Sequence, residues 1–199
     1  GVGPIEGLFR RVTDDERLLA WLRKWFLAMV AQVMGRMGTY GNSVCPILIS
    51  TRQGWGKSQF AKMLVPPRLR VFYTDTFNLA QEDACLRRMT AYMLVNVDEV
   101  DRFKETRMAT FKNLVQLSAV SMKRAYRSQM EEKERMASFI ATSNRRYLLH
   151  DESGSRRFIC VELTRPIDVE ALIDYDQLYA EAVAALDRGE RCWFDEEET

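Results

Sequence analysis

The chain has 199 residues, 47% of them hydrophobic and 29% charged, with a net charge of +1. This length and composition predict one globular domain with a substantial core. The near-neutral charge excludes a bulk attraction to nucleic acid, so any such contact must come from a local patch. A single histidine, His150, disfavours histidine metal sites and Ser/His catalysis. We expect a cytoplasmic protein without a membrane span, whose cysteines are reduced core residues: Cys45, Cys85, Cys160 and Cys192.

The first predicted element is a long helix. Residues 13–16, Thr-Asp-Asp-Glu, form a capping-box pattern that opens it. Its apolar residues recur at helical spacing and share one face, which we expect to pack on the core: Leu18, Leu22, Phe26, Met29 and Val33.

A glycine-rich loop follows, between a predicted strand and a predicted helix. Residues 45–49 are apolar, and Phe60, Met63 and Leu64 share a helical face. This layout is typical of loops that bind nucleoside triphosphates, because backbone N–H groups and the helix N-terminus point at the phosphates. The candidate nucleotide-binding residues are Thr51, Arg52, Gln53, Gly54, Trp55, Gly56, Lys57, Ser58 and Gln59.

Two of these residues have specific expected roles. Lys57 would reach the β- and γ-phosphates, and the Ser58 hydroxyl would ligate Mg²⁺. The loop departs from the pattern G-x-x-x-x-G-K-[ST] at its first position, which is Thr51. The turn remains possible if Thr51 keeps a negative φ, or if Gly54 takes the special conformation. The alternative is a chance Gly-x-Gly-Lys-Ser loop, which the flanking strand and helix disfavour.

The next elements lead to a pair of acids. Pro66 and Pro67 end the helix after the loop, and a short strand over residues 69–73 and a helix over 79–89 follow. The apolar strand 93–97 then ends in Asp98 and Glu99. In a P-loop ATPase the first acid orients Mg²⁺ through water, and the second takes a proton from the attacking water. A strand that ends in Asp-Glu is common by itself, but downstream of a P-loop it is a strong indication of an ATPase.

A helix over residues 105–117 precedes a predicted hairpin with a basic segment. Arginine and lysine side chains there can contact phosphates while a tyrosine stacks on a base. The alternative is a solvated charged hairpin with the tyrosine packed inward. The candidate nucleic-acid contacts are Lys123, Arg124, Tyr126 and Arg127.

The last predicted strands carry two further candidates. Residues 137–143 form an apolar strand followed by Asn144, which can bind the γ-phosphate and the attacking water, or else serve as a turn residue. Arg156 and Arg157 precede the strand 158–161. They are either solvated or include an arginine finger for a neighbouring subunit, typically worth about 10³–10⁵ in rate. Adjacent strand residues point to opposite faces, so at most one reaches phosphate.

Strands that alternate with helices predict a three-layer α/β fold of the P-loop NTPase type, with a mainly parallel sheet. Nucleotide would bind at the carboxyl ends of the strands. Residues 1–43 would form a tail and helical segment on the core, 44–165 the ATPase core, and 166–199 a final helix, near 175–186, and a tail. We expect one compact domain, and the start at Gly1 indicates a piece of a longer protein.

In order and spacing, these motifs resemble the virulence-associated E (VapE) family, from about Trp21 to the C-terminus. The matching segments are residues 53–58, 98–99, 123–127, 141–144, 154–158 and 178–182. These are P-loop ATPases of phages and mobile elements, close to superfamily 3 helicases of the AAA+ class. The resemblance implies an ATPase core, often fused after a primase-like domain, and a ring of subunits, here expected to be hexameric, with ATP held between them.

The predicted function is an ATP-hydrolysing motor, a DNA helicase or translocase that uses ATP and Mg²⁺ and acts on single-stranded DNA. One alternative is a nucleotide-switched module that binds DNA or partners and turns over little, which the departure at Thr51 favours slightly. A small-molecule kinase also fits the loop, but it leaves Asp98, Glu99 and Asn144 unexplained.

Overall fold

The computed structural model describes residues 1–123, 128–146, 157–195 and 198. The helices are α1 (Pro4–Phe9), α2 (Glu16–Val33), α3 (Lys57–Met63), α4 (Glu82–Ala91), α5 (Glu105–Gln116) and α6 (Tyr175–Asp187). The strands are β1 (Cys45–Ile49), β2 (Tyr73–Thr74), β3 (Leu94–Val97), β4 (Ala119–Lys123), β5 (Met130–Glu134), β6 (Ser138–Ser143) and β7 (Phe158–Glu162). Short 3-10 helices cover Pro67–Phe72 and Val100–Arg102. Within these residues, none of the helices combines the length and apolar character needed to cross a membrane.

Five strands form one parallel sheet in the order β2-β3-β6-β1-β7. The three central strands, β3, β6 and β1, are buried along their whole length, as expected for a parallel sheet covered on both faces. In register, Ile49 of β1 lies beside Ser143 of β6, and Val97 of β3 lies beside Ala141 of β6. The residues that follow β1, β3 and β6 therefore meet at one edge of the sheet.

Two apolar clusters cover the sheet, one on each face. The first packs side chains of α1, α2, α3 and α6 against alternate strand residues, with Trp25, Phe26 and Phe60 fully buried. The second packs α4 and α5 against the opposite face, with Phe111 and Phe139 at its centre. The α/β fold with a mainly parallel sheet is therefore confirmed.

Several predicted elements need correction. The strand expected over residues 69–73 is mainly the 3-10 helix Pro67–Phe72, because a proline at the first helical position favours helical φ. The long helix α2 is capped by Asp15 rather than Thr13, since the Asp15 carboxylate accepts the N–H groups of Arg17 and Leu18 at 2.8 and 3.1 Å.

Three further differences are smaller. The first helix, α1, is not predicted from the sequence. The helix expected over residues 79–89 is α4, shifted towards the C-terminus. Cys160 is exposed on the edge strand β7, whereas Cys45, Cys85 and Cys192 are buried as expected.

A two-stranded antiparallel hairpin, β4–β5, lies outside the main sheet. Its base is fixed by Arg135, which follows β5 and is only 3% exposed. The guanidinium donates to the carbonyls of Asn42, Val115, Leu117 and Ala137 at 2.6–2.8 Å. Burial lowers the pKa of Arg135 to about 9, which still leaves it charged at neutral pH.

Candidate functional site

The loop after β1 turns through two glycines with positive φ. Gly54 has a φ of +75° and Gly56 a φ of +85°, whereas Thr51 is absent from the positive-φ residues. This is one of the two conformations expected from the sequence, in which Gly54 makes the turn although the first loop position is a threonine. A Cβ on Gly56 would lie 2.9 Å from the Val169 side chain, so this position needs glycine for space as well as for φ.

The segment after β7 packs over the loop and supports its shape. The Ile167 N–H donates to the Trp55 carbonyl at 3.0 Å. The half-buried Trp55 packs against the first apolar cluster, and the Arg52 guanidinium lies 5.9 Å from the centre of its ring. Trp55 is therefore a support of the loop as well as a lining residue of the cavity beside it.

Lys57 begins α3 and is 8% exposed. Its ammonium donates to the Ser50 carbonyl at 3.3 Å and to Asn144 Oδ1 at 3.2 Å. Burial lowers the pKa of Lys57, and the carboxylates of Asp101, Asp98 and Glu99 act in the opposite direction. Both hydrogen bonds are long and end on neutral oxygens, so a phosphate oxygen can replace either one.

Asp98 is fixed at the end of β3 by three hydrogen bonds to a single carboxylate oxygen. Its Oδ1 accepts from Ser58 Oγ at 2.7 Å, from Thr142 Oγ1 at 2.9 Å and from Asn96 Nδ2 at 3.0 Å. Thr142 Oγ1 in turn accepts the N–H of Glu99 at 3.0 Å. Asp98 and Ser58, the two residues expected to hold Mg²⁺, are thus in direct contact.

Glu99 has a strained backbone. Its φ of +55° makes it the one non-glycine residue with positive φ in the described parts of the chain. Such a conformation costs on the order of 1–3 kcal/mol and is often found at functional sites. The Glu99 carboxylate is 2.9 Å from the Arg102 guanidinium, in a pair whose members are 40% and 69% exposed.

Asn144 is held beside Lys57 from both of its ends. Its backbone N–H donates to Asp101 Oδ1 at 2.9 Å, while its side-chain oxygen accepts from Lys57. Asp101 belongs to the 3-10 helix Val100–Arg102 that follows the acid pair. The predicted sensor residue therefore lies within hydrogen-bonding distance of the predicted phosphate-binding lysine.

These residues surround a cavity of about 470 Å³. Its lining residues are Gln53, Gly54, Trp55, Gly56, Lys57, Ser58, Gln59, Asp98, Glu99, Thr142 and Asn144. Among the predicted nucleotide-binding residues, Thr51 and Arg52 are absent from this lining. The cavity therefore gathers most of the residues that the sequence singles out, together with Thr142.

The residues present fit a triphosphate with Mg²⁺. Turned backbone at positive-φ glycines and the lysine ammonium favour anions, and the Ser58 and Asp98 oxygens are the ligands that Mg²⁺ prefers. With only seven residues in α3, the field of its N-terminus is a minor contribution. One lysine faces the three carboxylates Asp98, Glu99 and Asp101. A triphosphate therefore needs a cation to offset this negative charge.

Three residues of this site are not predicted by the sequence reasoning: Asn96, Asp101 and Thr142. Thr142 lies two residues before Asn144, where strand alternation places both on one face, and that spacing is the signal for it. For Asn96, the signal is a polar residue inside an apolar strand. Asp101 has no local sequence signal, because its role is to accept the N–H of Asn144, which follows the neighbouring strand β6.

The remaining predicted residues lie elsewhere. The Arg157 carbonyl accepts the N–H of Cys45 at 2.8 Å, so its backbone lies at the amino ends of the strands, opposite Lys57. Lys123 is exposed at the end of β4 and is absent from the cavity lining. Arg124, Tyr126, Arg127 and Arg156 lie outside the described residues.

Known structures support the fold. Two apo structures of the "NrS-1 C terminal region" superpose with TM-scores of 0.56 and 0.57, at 16% and 17% sequence identity. They cover 94% and 98% of this chain, which spans 44% and 48% of theirs, so the chain matches less than half of those proteins. A third apo structure of the same region has a TM-score of 0.56, at 19% identity, and covers 98% of this chain and 47% of its own.

No curated protein matches the chain. The family model of the virulence-associated protein E-like domain matches residues 5–199, and the chain therefore belongs to that family.

Proposed function

We propose that this domain is the ATP-hydrolysing motor of a phage or mobile-element replication protein, a superfamily 3-like DNA helicase or translocase. One observation carries the proposal: the Ser58 hydroxyl and the Asp98 carboxylate are 2.7 Å apart, beside Lys57, at the carboxyl ends of parallel strands. This arrangement supports phosphoryl transfer, in which catalysis consists largely of positioning and charge stabilisation.

In the proposed mechanism, the loop amides and Lys57 bind the phosphates. Ser58 would hold Mg²⁺ directly and Asp98 would hold it through water, and the cation would offset phosphate charge. Lys57 exchanges the Asn144 amide for a phosphate oxygen, which frees Asn144 to contact the γ-phosphate and the attacking water. Glu99 leaves Arg102 and takes a proton from that water. The Glu99–Arg102 pair is largely exposed, so separating it costs little.

Oligomerisation would supply a missing cation. Among the described residues that line the cavity there is no arginine. We therefore assign the transition-state arginine to Arg156 or Arg157 of a neighbouring subunit in a ring, which we take to be hexameric. The position of Arg157 at the amino ends of the strands, remote from its own cavity, supports action between subunits.

Single-stranded DNA is the proposed track, and the hairpin segment with Lys123, Arg124, Tyr126 and Arg127 is the proposed contact. Lys123 is exposed, as such a contact requires. A primase-like domain in a longer protein is the proposed covalent partner, as the membership in the virulence-associated protein E-like family suggests.

The test is ATP hydrolysis and nucleotide binding by the purified chain, with and without single-stranded DNA, across a range of protein concentrations. We expect turnover to rise with concentration and with DNA, and Lys57→Ala to abolish both binding and turnover. Glu99→Gln should retain binding and lose about 100-fold or more in rate, because only the proton acceptor is removed.

Lys62→Ala is the matched control, since Lys62 is an exposed lysine on the same helix. A Lys57→Ala variant that hydrolyses ATP at the wild-type rate would refute the assignment. DNA stimulation that persists after Lys123, Arg124 and Arg127 are all changed to alanine would refute the hairpin contact alone.

The second candidate is a nucleotide-switched binding module with little turnover. The observation in its favour is Thr51, which stands where the loop pattern has its first glycine and does not line the cavity. Nucleotide binding without turnover at any concentration, with or without DNA, would select this function over the motor.

A further inference from the structure

Asn96 is a fully buried amide in the middle of an apolar strand. It is 0% exposed, is flanked on β3 by Val95 and Val97, and pairs in register with Ile140 of β6. Burying an amide is costly unless its hydrogen bonds are made. A residue of this type at the centre of a parallel sheet therefore needs an explanation beyond packing.

The hydrogen bonds of Asn96 are only half satisfied. Its Nδ2 donates to Asp98 Oδ1 at 3.0 Å, but its Oδ1 has no partner among the described residues. Burial raises the pKa of Tyr73, on the neighbouring strand β2, to about 12, and a side-chain interaction with the Asn96 amide opposes that rise. At 3.0 Å, the hydrogen bond to Asp98 is the contact that ties the Asn96 side chain to the cavity residues.

That bond helps to fix the orientation of the Asp98 carboxylate. All three of its donors, Ser58, Thr142 and Asn96, end on Oδ1. Oδ2 accepts no hydrogen bond from the described residues and is therefore available to a cation or to its water shell. Because Asn96 and Asp98 are two residues apart on a strand, they share a face, and the amide reaches the carboxylate from inside the sheet.

The arrangement changes when a divalent cation binds. The proposed function assigns the Ser58 oxygen to the cation, so the Ser58 hydroxyl would be shared between the cation and the Asp98 carboxylate. Thr142 and Asn96 then remain as the donors that hold the carboxylate. Thr142 donates its hydroxyl proton to Asp98 while it accepts the N–H of Glu99, and Asn96 adds a second donor from inside the sheet.

We propose that Asn96 is a positioning residue that orients Asp98 for the divalent cation accompanying the nucleotide. This inference rests on the proposed function, since it requires a nucleotide with its cation at Ser58 and Asp98. Residues that orient metal ligands from behind typically contribute about 10–100-fold in metal affinity.

The test measures binding of a fluorescent ATP analogue as a function of Mg²⁺, and again in EDTA, for the wild type and Asn96→Ala. We expect the Mg²⁺ concentration for half-maximal binding to rise about tenfold or more in the variant. Affinity in EDTA should be unchanged, because Asn96 does not line the cavity. The readout is metal-dependent binding, so it does not depend on hydrolysis.

Ser138→Ala is the control. Ser138 is a fully buried polar residue on β6 whose hydroxyl accepts from Asn42 and is not bonded to Asp98. A purely structural role for Asn96 predicts the same Mg²⁺ dependence in both variants, and that result would overturn the inference. Asn96→Leu, which fills the space without the amide, replaces Asn96→Ala if that variant does not fold, and the same shift is expected.

The two proposals fail in different ways. A wild type that binds the analogue under no condition contradicts the proposed function, and this inference with it. A wild type that binds with Mg²⁺, while Asn96→Ala and Asn96→Leu keep the wild-type dependence, contradicts this inference alone.

Discussion

The two ends of the sheet each hold a buried cation, and the two cations are bound in different ways. At the amino end, Arg135 makes four hydrogen bonds of 2.6–2.8 Å to backbone carbonyls. At the carboxyl end, Lys57 makes two of 3.2–3.3 Å, one of them to the Asn144 side chain. Burial lowers the pKa of both groups, but carboxylates counteract it only at Lys57.

This difference separates a structural cation from one that is available to a ligand. The acceptors of Arg135 come from three separate stretches of backbone, so its charge ties the hairpin base to the sheet. The acceptors of Lys57 are few and distant, and three carboxylates beside a cavity surround it. Burial alone would not distinguish the two, whereas the number, length and type of hydrogen bonds do.

The largest expected effect is on stability, in a matched pair of substitutions to methionine. Arg135→Met should lower the free energy of unfolding by about 4 kcal/mol, because buried carbonyls lose their partners at about 1–3 kcal/mol each and relax only partly. Lys57→Met should change it by less than about 1 kcal/mol, because a desolvated charge is removed along with two weak bonds. Urea denaturation of both variants measures this difference.

Arg107→Met, at an exposed arginine on α5, is the control for loss of an arginine at the surface. Equal losses of stability in Arg135→Met and Lys57→Met would contradict the distinction between the two ends of the sheet.

Left-handed backbone also occurs at the carboxyl end, where Gly54, Gly56 and Glu99 have positive φ. Gly56→Ala should destabilise the protein by about 3 kcal/mol, because left-handed strain costs about 1–2 kcal/mol and the crowded Cβ adds to it. Gly189→Ala, at a φ of +79° in open space at the end of α6, should show the strain alone, about 1 kcal/mol. Thermal unfolding of the two variants measures the gap.

Nucleotide binding separates the two glycine substitutions further. Gly56→Ala should weaken it, since Gly56 lines the cavity, and Gly189→Ala should leave it unchanged. Equal destabilisation by the two substitutions would show that the Val169 side chain moves aside at no measurable cost in stability.

The sequence predicts the carboxyl end of the sheet well because its signals are local. Apolar runs give β1, β3 and β6. The loop after β1 and the polar residues that directly follow β3 and β6 line the cavity. The partners of those residues are less predictable. Asp101 acts on Asn144 from a neighbouring strand connection, and Asn96 looks like a flaw in its own strand until Asp98 is placed beside it.

The amino end is predicted poorly because its signals are tertiary. In the sequence, Arg135 closes a run of alternating charges and looks solvated, yet it is nearly inaccessible. Its four acceptors are separated from it by up to 93 residues, and no local pattern indicates them. The 3-10 helix Pro67–Phe72 is missed for a different reason: the apolar residues Leu69, Val71 and Phe72 suggest a strand, but Pro67 starts a helix and these three side chains remain exposed.

The smallest expected effect concerns the ion pair at Glu99. Arg102→Ala should change the free energy of unfolding by less than about 0.5 kcal/mol, because both side chains are well exposed and solvent screens the pair. If the motor proposal is correct, turnover should change by no more than about twofold, since a bond worth so little cannot withhold Glu99 from the attacking water. Steady-state hydrolysis at saturating ATP and Mg²⁺ measures this, with Arg107→Ala as an exposed arginine that has no part in the site. A tenfold rise in Arg102→Ala alone would mean that the pair restrains Glu99 far more than its exposure indicates. Glu99 would then resemble Lys57, because each would be bound to a neighbouring side chain that a ligand must displace.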